Sequence, residues 1–347
     1  MAATEGAPVC ETEGNMTASP LPLTDNFGRV VRDLRVSVTD RCNFRCTYCM
    51  PAEGLVWQDR AELLTFEEIT RVVGVFTARL GVEGVRLTGG EPTVRAHLPV
   101  LVRQLASLPV RPELAMTTNG ASLRLMAEDL RAAGLDRINI SCDSLRRERF
   151  AEITRRDALP AVLDGIDAAQ AAGFDPVKVN CVLMRGVNDD EIVDFARFGR
   201  ERGVSIRFIE FMPLDAEDRW EAGSVVPSKD VLEQIAARFP IEAVAHGPEP
   251  ASRFRYTDGA GEIGVIASVT EPFCGSCDRV RVTADGQFRT CLFALDETDL
   301  RAVLRGGGSD DDLDAAIRVA VGHKWAGHQI GNVAFIRPPR SMSQIGG

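Results

Sequence analysis

Lysine is nearly absent from this chain. Only Lys178, Lys229 and Lys324 occur among 40 basic residues in 347. Arginine and lysine do different chemistry, so each lysine that is kept draws attention. Net positive charge is also lacking: the formal charge is −10. That excludes a general nucleic-acid binder and confines any phosphate site to a local basic patch. No apolar run approaches the roughly 20 residues that a membrane-spanning helix needs, so no membrane partner is expected. The opening stretch, MAATEGAPVCETEGNMTASPLPLTD, has no basic region and no apolar core. It predicts neither a secretory nor a mitochondrial signal, and the expected location is the cytoplasm. Residues 1–27 read as a flexible leader in which Met16 could serve as an alternative start. Nine cysteines without a secretion signal do not read as a disulfide framework. Cys10, Cys142 and Cys181 stand alone and read as leader or small core residues.

What is present begins with alternation. Short apolar runs at 34–39, 84–88, 113–118, 137–141, 177–184 and 206–212 predict strands. Amphipathic stretches near 66–80, 97–107, 122–133, 148–172 and 189–202 predict helices between them. Thr65 with Glu68 reads as a capping box. Strand and helix in strict turn imply a parallel sheet with right-handed crossovers. One face of each strand is polar: Arg35, Ser37 and Thr39; Arg86 and Thr88; Thr117; Asn139 and Ser141; Lys178 and Asn180. Parallel sheets rarely leave a face bare, so this pattern predicts a curled sheet with a wet interior. Six units are too few for a complete (β/α)8 barrel, and something else must close the open side. Residues 28–222 are therefore expected to form a partial barrel. After about Gly223 the pattern changes to a helix near 228–238 and hairpins with turns at Asp258-Gly259 and Asp285-Gly286. Residues 223–347 are expected to form an α+β layer over the open side.

Six cysteines fall in two groups of three. Cys42, Cys46 and Cys49 follow the first predicted strand as C-x3-C-x2-C. Cys274, Cys277 and Cys291 are spaced C-x2-C-x13-C. Three thiolates can hold a [4Fe–4S] cube through three of its irons and leave the fourth iron open. Structural zinc wants four closed ligands. No fourth Cys or His lies near the first triplet, although a remote ligand stays open, and His246, His323 or His328 could complete a zinc site at the second. Arg279 and Arg281 follow Cys277 on one face of a predicted strand.

The first triplet, with Tyr48 before its last cysteine, resembles the radical S-adenosylmethionine (SAM) superfamily. TGGEP at 88–92, one unit later, looks like that superfamily's second hallmark. Both triplets together with the terminal Ile-Gly-Gly closely resemble the GTP 3',8-cyclase family, from about Asp25 to Gly347. The resemblance implies an incomplete TIM-like barrel of the radical SAM type. It implies two [4Fe–4S] clusters, one on each triplet, with SAM chelated to the first and lined by Gly90, Ser141, Met212 and the backbone at Tyr48. GTP would be held by Arg35, Arg86, Thr117, Lys178, Arg279, Val280 and Arg281, with its guanine at the open iron of the second cluster. Arg279, Arg281, Gly346 and Gly347 would serve catalysis, the last two as a tail inserted into the site.

The implied reaction is the first step of molybdenum cofactor biosynthesis. A 5'-deoxyadenosyl radical takes the ribose 3' hydrogen, and the carbon radical closes on C8 to give 3',8-cyclo-7,8-dihydro-GTP. An external electron donor, functional coupling to cyclic pyranopterin monophosphate synthase, and a homodimer are the expected partners. The alternatives are a twin-cluster peptide maturase and a non-catalytic zinc scaffold. Internal salt bridges from Lys178 or Arg86 to Glu91 or Asp143 are the competing explanation for the inward charges.

Overall fold

Six strand–helix units occupy the stretch where the alternation predicted them. The strands are β1 (Asp33–Ser37), β2 (Gly84–Thr88), β3 (Glu113–Thr118), β4 (Arg137–Ser141), β5 (Lys178–Leu183) and β6 (Ser205–Glu210). The helices among them are α1 (Phe66–Ala78), α2 (Leu98–Ala106), α3 (Ala127–Ala132), α4 (Arg147–Thr154), α5 (Leu159–Ala171) and α6 (Ile192–Arg202). The structure, a computed structural model, describes residues 21–214, 220–245, 247, 249–333 and 335–346. Cys10, Met16, His246 and Gly347 lie outside the described residues.

Local chemistry explains the helix ends. The Thr65 hydroxyl accepts from the Glu68 N–H at 3.2 Å, and the Glu68 carboxylate accepts from the Thr65 N–H at 2.8 Å. Both groups would otherwise lack partners at the start of α1. The stretch 148–172, expected as one helix, is two. Arg155 turns left-handed at φ 53° and ends α4, and Pro160 sits in the first turn of α5. Proline is tolerated there but not in a helix interior.

The C-terminal segment contributes α7 (Ser228–Ala236), β7 (Ile241–Ala243), β8 (Ser252–Tyr256), β9 (Glu262–Ile266), β10 (Arg279–Val282), β11 (Gln287–Arg289), β12 (Thr298–Asp299), α8 (Leu300–Arg305), α9 (Asp310–Gly322) and α10 (Met342–Ile345). It does more than cover the open side. β10 pairs parallel to β1, and β9 pairs parallel to β6. The sheet runs β12-β11-β10-β1-β2-β3-β4-β5-β6-β9-β8-β7. Its middle is a row of eight parallel strands whose outermost members, β10 and β9, turn to antiparallel hairpins instead of meeting. This is an incomplete TIM-like barrel. Capping both edges satisfies backbone groups that bare edge strands would expose.

The two faces separate as the alternation requires. Leu34, Val36, Val85, Leu87, Ile138, Ile140 and Val179 are 1% exposed or less and join one hydrophobic core under the helices. Arg35, Arg86, Thr117, Asn139 and Lys178 are half-buried on the inner face. Register places Arg281, Arg35 and Arg86 side by side across β10, β1 and β2. A second inner row runs Thr117, Asn139 and Lys178 across β3, β4 and β5.

Candidate active site

The first cysteine triplet lies in the loop that leaves the C-terminal end of β1. The Cys49 and Met50 N–H groups both donate to the Cys46 carbonyl, at 2.9 and 3.1 Å, which folds the loop into a tight turn. The Phe44 N–H donates to Cys42 Sγ at 3.4 Å. Burial pushes the Cys42 thiol up to about 11 and the Cys49 thiol up to about 12, and Cys42 adds to the rise at Cys49. Burial, then Asp143, then Cys49 and Cys42 push Cys46 up as well. Three half-buried sulfurs that disfavour one another's ionisation suit a cationic ligand, which removes their protons on binding. Among the described residues no three His, Cys, Asp or Glu side chains are arranged to hold a single metal ion. A cube places each thiolate on a different iron, so it needs three cysteines without that convergence.

The Gly-Gly-Glu-Pro turn rests against this loop. The Gly90 N–H donates to the Thr39 carbonyl and the Glu91 N–H to the Arg41 carbonyl, each at 2.8 Å. A Cβ on Gly90 would collide with the Arg41 and Asp40 carbonyls. Glycine is needed there for close approach of two backbones. Because its N–H is engaged, Gly90 can offer an ammonium ligand only its carbonyl.

Glu91 is 1% exposed, and its carboxylate accepts from Thr93 N and Oγ1, Thr118 Oγ1 and Asn119 N at 2.6 to 3.0 Å. Asp143 accepts from the Tyr48 hydroxyl at 2.7 Å and the Val182 N–H at 2.9 Å. Burial raises Asp143 to about 6. Both acids are thus occupied by partners other than Arg86 and Lys178, which removes the internal salt bridges as an account of those charges. Ser141, at the end of β4, and Met212, just past β6, are both half-buried.

The inner face of β10, β1 and β2 concentrates positive charge. Burial, then Arg281, Arg279 and Arg86, hold Arg35 well below its ordinary value. Burial lowers Arg86, and burial with Arg279 brings Arg281 down to about 10. The Nε atoms of Arg35, Arg86 and Arg279 are buried without a hydrogen-bond partner among the described residues. Asp33 and Asp278 are the nearby acids, their carboxylates 3.9 Å from Arg35 Nε and from Arg279 Nε. Across the cavity, burial, then Arg207 and Arg137, bring Lys178 down to about 8. Buried cations that depress one another are costly unless an anion joins them, and arginine forks suit phosphate.

The second triplet borders the same face. Arg279 Nη2 lies 3.8 Å from Cys277 Sγ, and its guanidinium sits 4.6 Å above the Phe273 ring. Burial alone would raise Cys277, but Arg279 and Lys324 outweigh it and lower the thiol. Burial raises Cys291, with Cys277 and Cys274 contributing, so these three sulfurs also feel one another. The residues therefore fit a second cluster of the same kind. Val280 points the other way, with its side chain in the core, so only its main chain can face a ligand. His323 is exposed at the end of α9, and His328 Nε2 pairs with the Ser268 carbonyl at 2.8 Å.

The C-terminal tail reaches this cavity. Arg281 Nη1 donates to the Gly346 carbonyl, and Ser37 Oγ donates to the Ile345 carbonyl at 3.2 Å. Gly346 is buried at φ 88°, where a Cβ would collide with Ser37 Oγ and sit 2.7 Å from Thr88 Oγ1.

Among the described residues, Arg281, Arg35 and Arg86 share one inner row of the sheet and Thr117 and Lys178 another, with Gly346 against Ser37. Lys229 belongs to neither row: its side chain is 79% exposed and pairs with Glu233 on α7. Sequence reasoning passed over Arg207, buried on β6 with Glu262 at 2.8 Å, and Arg137 on β4. Arg137 continues the inward alternation already noted at Asn139 and Ser141, a signal that could have found it, whereas Arg207 is placed inward by its register opposite Asn180.

A radical SAM superfamily model matches residues 36–199, and a model named Molybdenum Cofactor Synthesis C matches residues 204–330. SuiB of Streptococcus suis, solved with S-adenosylmethionine bound, superposes on 80% of this chain and 64% of its own with a TM-score of 0.58 at 13% identity. That likeness speaks for the fold. The GTP 3',8-cyclase of Streptomyces coelicolor is 50% identical over 328 residues, 94% of this chain and 96% of that protein. The GTP 3',8-cyclase of Mycolicibacterium smegmatis is 48% identical over 345 residues, 96% of each. Agreement at half the positions along nearly the full length leaves one assignment, and the chain belongs to the GTP 3',8-cyclase family within the radical SAM superfamily.

Proposed function

We propose that this chain converts GTP to 3',8-cyclo-7,8-dihydro-GTP, the first step of molybdenum cofactor biosynthesis. The observation that carries the reading is the row of inward cations, Arg35, Arg86 and Arg281, side by side in register and crowded by Arg279, between two cysteine triplets. A polyanion bearing a purine satisfies both halves of that cavity. In this reading Cys42, Cys46 and Cys49 hold one [4Fe–4S] cluster, and Cys274, Cys277 and Cys291 hold the second. When bound, the first cluster and SAM supply a 5'-deoxyadenosyl radical able to take the ribose 3' hydrogen, and that chemistry is the cofactor's own.

The protein supplies placement. The Gly90 carbonyl, Ser141, Met212 and the backbone at Tyr48 line SAM, and Asp143 fixes the Tyr48 ring through its hydroxyl. Arg35, Arg86, Thr117 and Lys178 grip the triphosphate, while Arg279, the Val280 main chain and Arg281 position the nucleoside toward the second triplet. Gly346 closes the cavity above Ser37 and Thr88 and, with Gly347 assigned to the same task, limits the space in which the ribose can turn. Residues 28–222 act as the radical-generating barrel and 223–347 as the substrate-facing part. An external reductant, a cytoplasmic location, a homodimer and transfer of the product to cyclic pyranopterin monophosphate synthase complete the reading.

Anaerobic incubation of the reconstituted protein with SAM, dithionite and each nucleoside triphosphate tests it. Deoxyadenosine release that rises with GTP and not with ATP, CTP or UTP is expected. Release indifferent to the nucleotide, or a chain carrying zinc and no iron, overturns it.

A further inference from the structure

Two of the three lysines have no place in the reaction as described so far, and one of them, Lys324, is buried. Lys324 follows α9 and is 4% exposed. Its ammonium donates to the Cys277 carbonyl at 3.0 Å and the Arg279 carbonyl at 2.9 Å, and lies 3.9 Å from Cys277 Sγ. Among the described residues no carboxylate forms a salt bridge with it. A buried ammonium is costly unless its charge is answered. Two carbonyls satisfy its donors without supplying a full negative charge. Asp25 and Asp278 feel its charge without forming a salt bridge to it, and the side chain in direct reach is a cysteine of the second triplet.

The same loop is held from its other end. Arg29 Nη1 donates to the Cys274 carbonyl at 2.6 Å and the Ala326 carbonyl at 2.8 Å, and Nη2 donates to the Trp325 carbonyl at 2.5 Å. Asp25 answers that guanidinium at 2.6 Å. The contrast is informative. Arg29 has its own carboxylate and works as a structural tie. Lys324 lacks one and directs its third donor toward sulfur. An arginine could tie the carbonyls equally well, whereas a compact ammonium concentrates its charge at one point. In a chain so poor in lysine, that difference is what this position uses.

We infer that Lys324 is a positioning residue for the second iron–sulfur cluster, fixing the Cys277–Arg279 strand entry and placing its ammonium beside the Cys277 sulfur. This rests on the proposal that the second triplet carries a cluster. Charge and hydrogen bonds at the sulfurs set cluster potentials. Removing the cation stabilises the oxidised cube and lowers its reduction potential, with no effect on the first cluster.

The test compares Lys324→Met and Lys324→Arg with the parent, each reconstituted anaerobically. Iron is counted, both reduced clusters are titrated by electron paramagnetic resonance, and SAM cleavage is measured without GTP. In Lys324→Met the potential of the second cluster is expected to fall, while the first cluster's signal and SAM cleavage persist. Lys324→Arg keeps the charge but spreads it, and should recover the potential only in part. Equal second-cluster potentials in parent and Lys324→Met overturn the inference, as does parallel loss of both clusters, which would make Lys324 a general fold residue. A parent with one cluster only defeats the underlying two-cluster reading instead.

Discussion

At the scale of single residues, the inner face is built from charges that gain most when a ligand arrives. Lys178 sits at about 8 against an ordinary 10.5, held down by burial first and then by Arg207 and Arg137. The sign of its pH dependence follows. Between about pH 8 and 10.5 the unfolded chain carries the extra proton, so stability contributed through Lys178 rises with pH across that window. Triphosphate binding runs the opposite way, because it favours the charged amine. The KM for GTP should therefore be low below about pH 8 and rise above it. Lys178→Met should raise KM about tenfold or more at pH 7, the worth of a charge-assisted contact, and flatten the alkaline rise. Steady-state kinetics from pH 7 to 9.5 checks this. A parent profile as flat as the variant's would take Lys178 out of the substrate site.

The residue identities themselves were legible. Alternation exposed Arg35, Arg86 and Lys178, and spacing exposed both cysteine triplets. What alternation could not give was partnership. Glu91 and Asp143 were plausible counter-ions for Arg86 and Lys178 until their hydrogen bonds to Thr118 and Tyr48 were seen.

At the scale of elements, the four-residue α10 carries more consequence than its length suggests. Ser341 and Gln344 form a capping box that starts it, and Arg281 and Ser37 bind its far end. The turn between them allows no Cβ at Gly346. Gly346→Ala should displace the tail and cut cyclisation at least tenfold, with iron content and GTP-independent SAM cleavage preserved. Deleting residues 346–347 should abolish cyclisation under the same controls. Product analysis beside iron determination reads both, and normal turnover in either protein would show that the tail is dispensable. A glycine pair at a chain end looks like a frayed terminus in sequence. Only the contacts just before the end, Ser37 on the Ile345 carbonyl 308 residues away and Arg281 on the Gly346 carbonyl, reveal a docked one.

At the scale of the whole molecule, the barrel and its C-terminal segment share one sheet. β10 supplies Arg279 and Arg281 to the active face and also covers the edge of β1. The Phe76 and Phe288 rings meet at 5.7 Å, joining α1 to β11 in the same core. A chain ending at residue 222 loses β9 and β10 together and exposes both edges of the parallel row. Such a chain should aggregate and melt without a cooperative transition, because exposed edges template further pairing. The full chain should melt as one unit. Size exclusion with calorimetry distinguishes the outcomes. A monomeric, cooperatively melting 1–222 fragment would mean that the C-terminal strands decorate the barrel without completing it.

Sequence by itself determined the alternating strand–helix units, the polar inner face and the two triplets. These depend on periodicity and short spacing, which a chain carries locally. Tertiary structure alone decided that β9 and β10 extend the sheet at opposite edges, that Arg281 stands beside Arg35, that the tail enters the cavity and that Lys324 reaches Cys277. Each joins residues far apart in the chain through hydrogen bonds and burial, and no local pattern encodes which distant partner will satisfy a given donor.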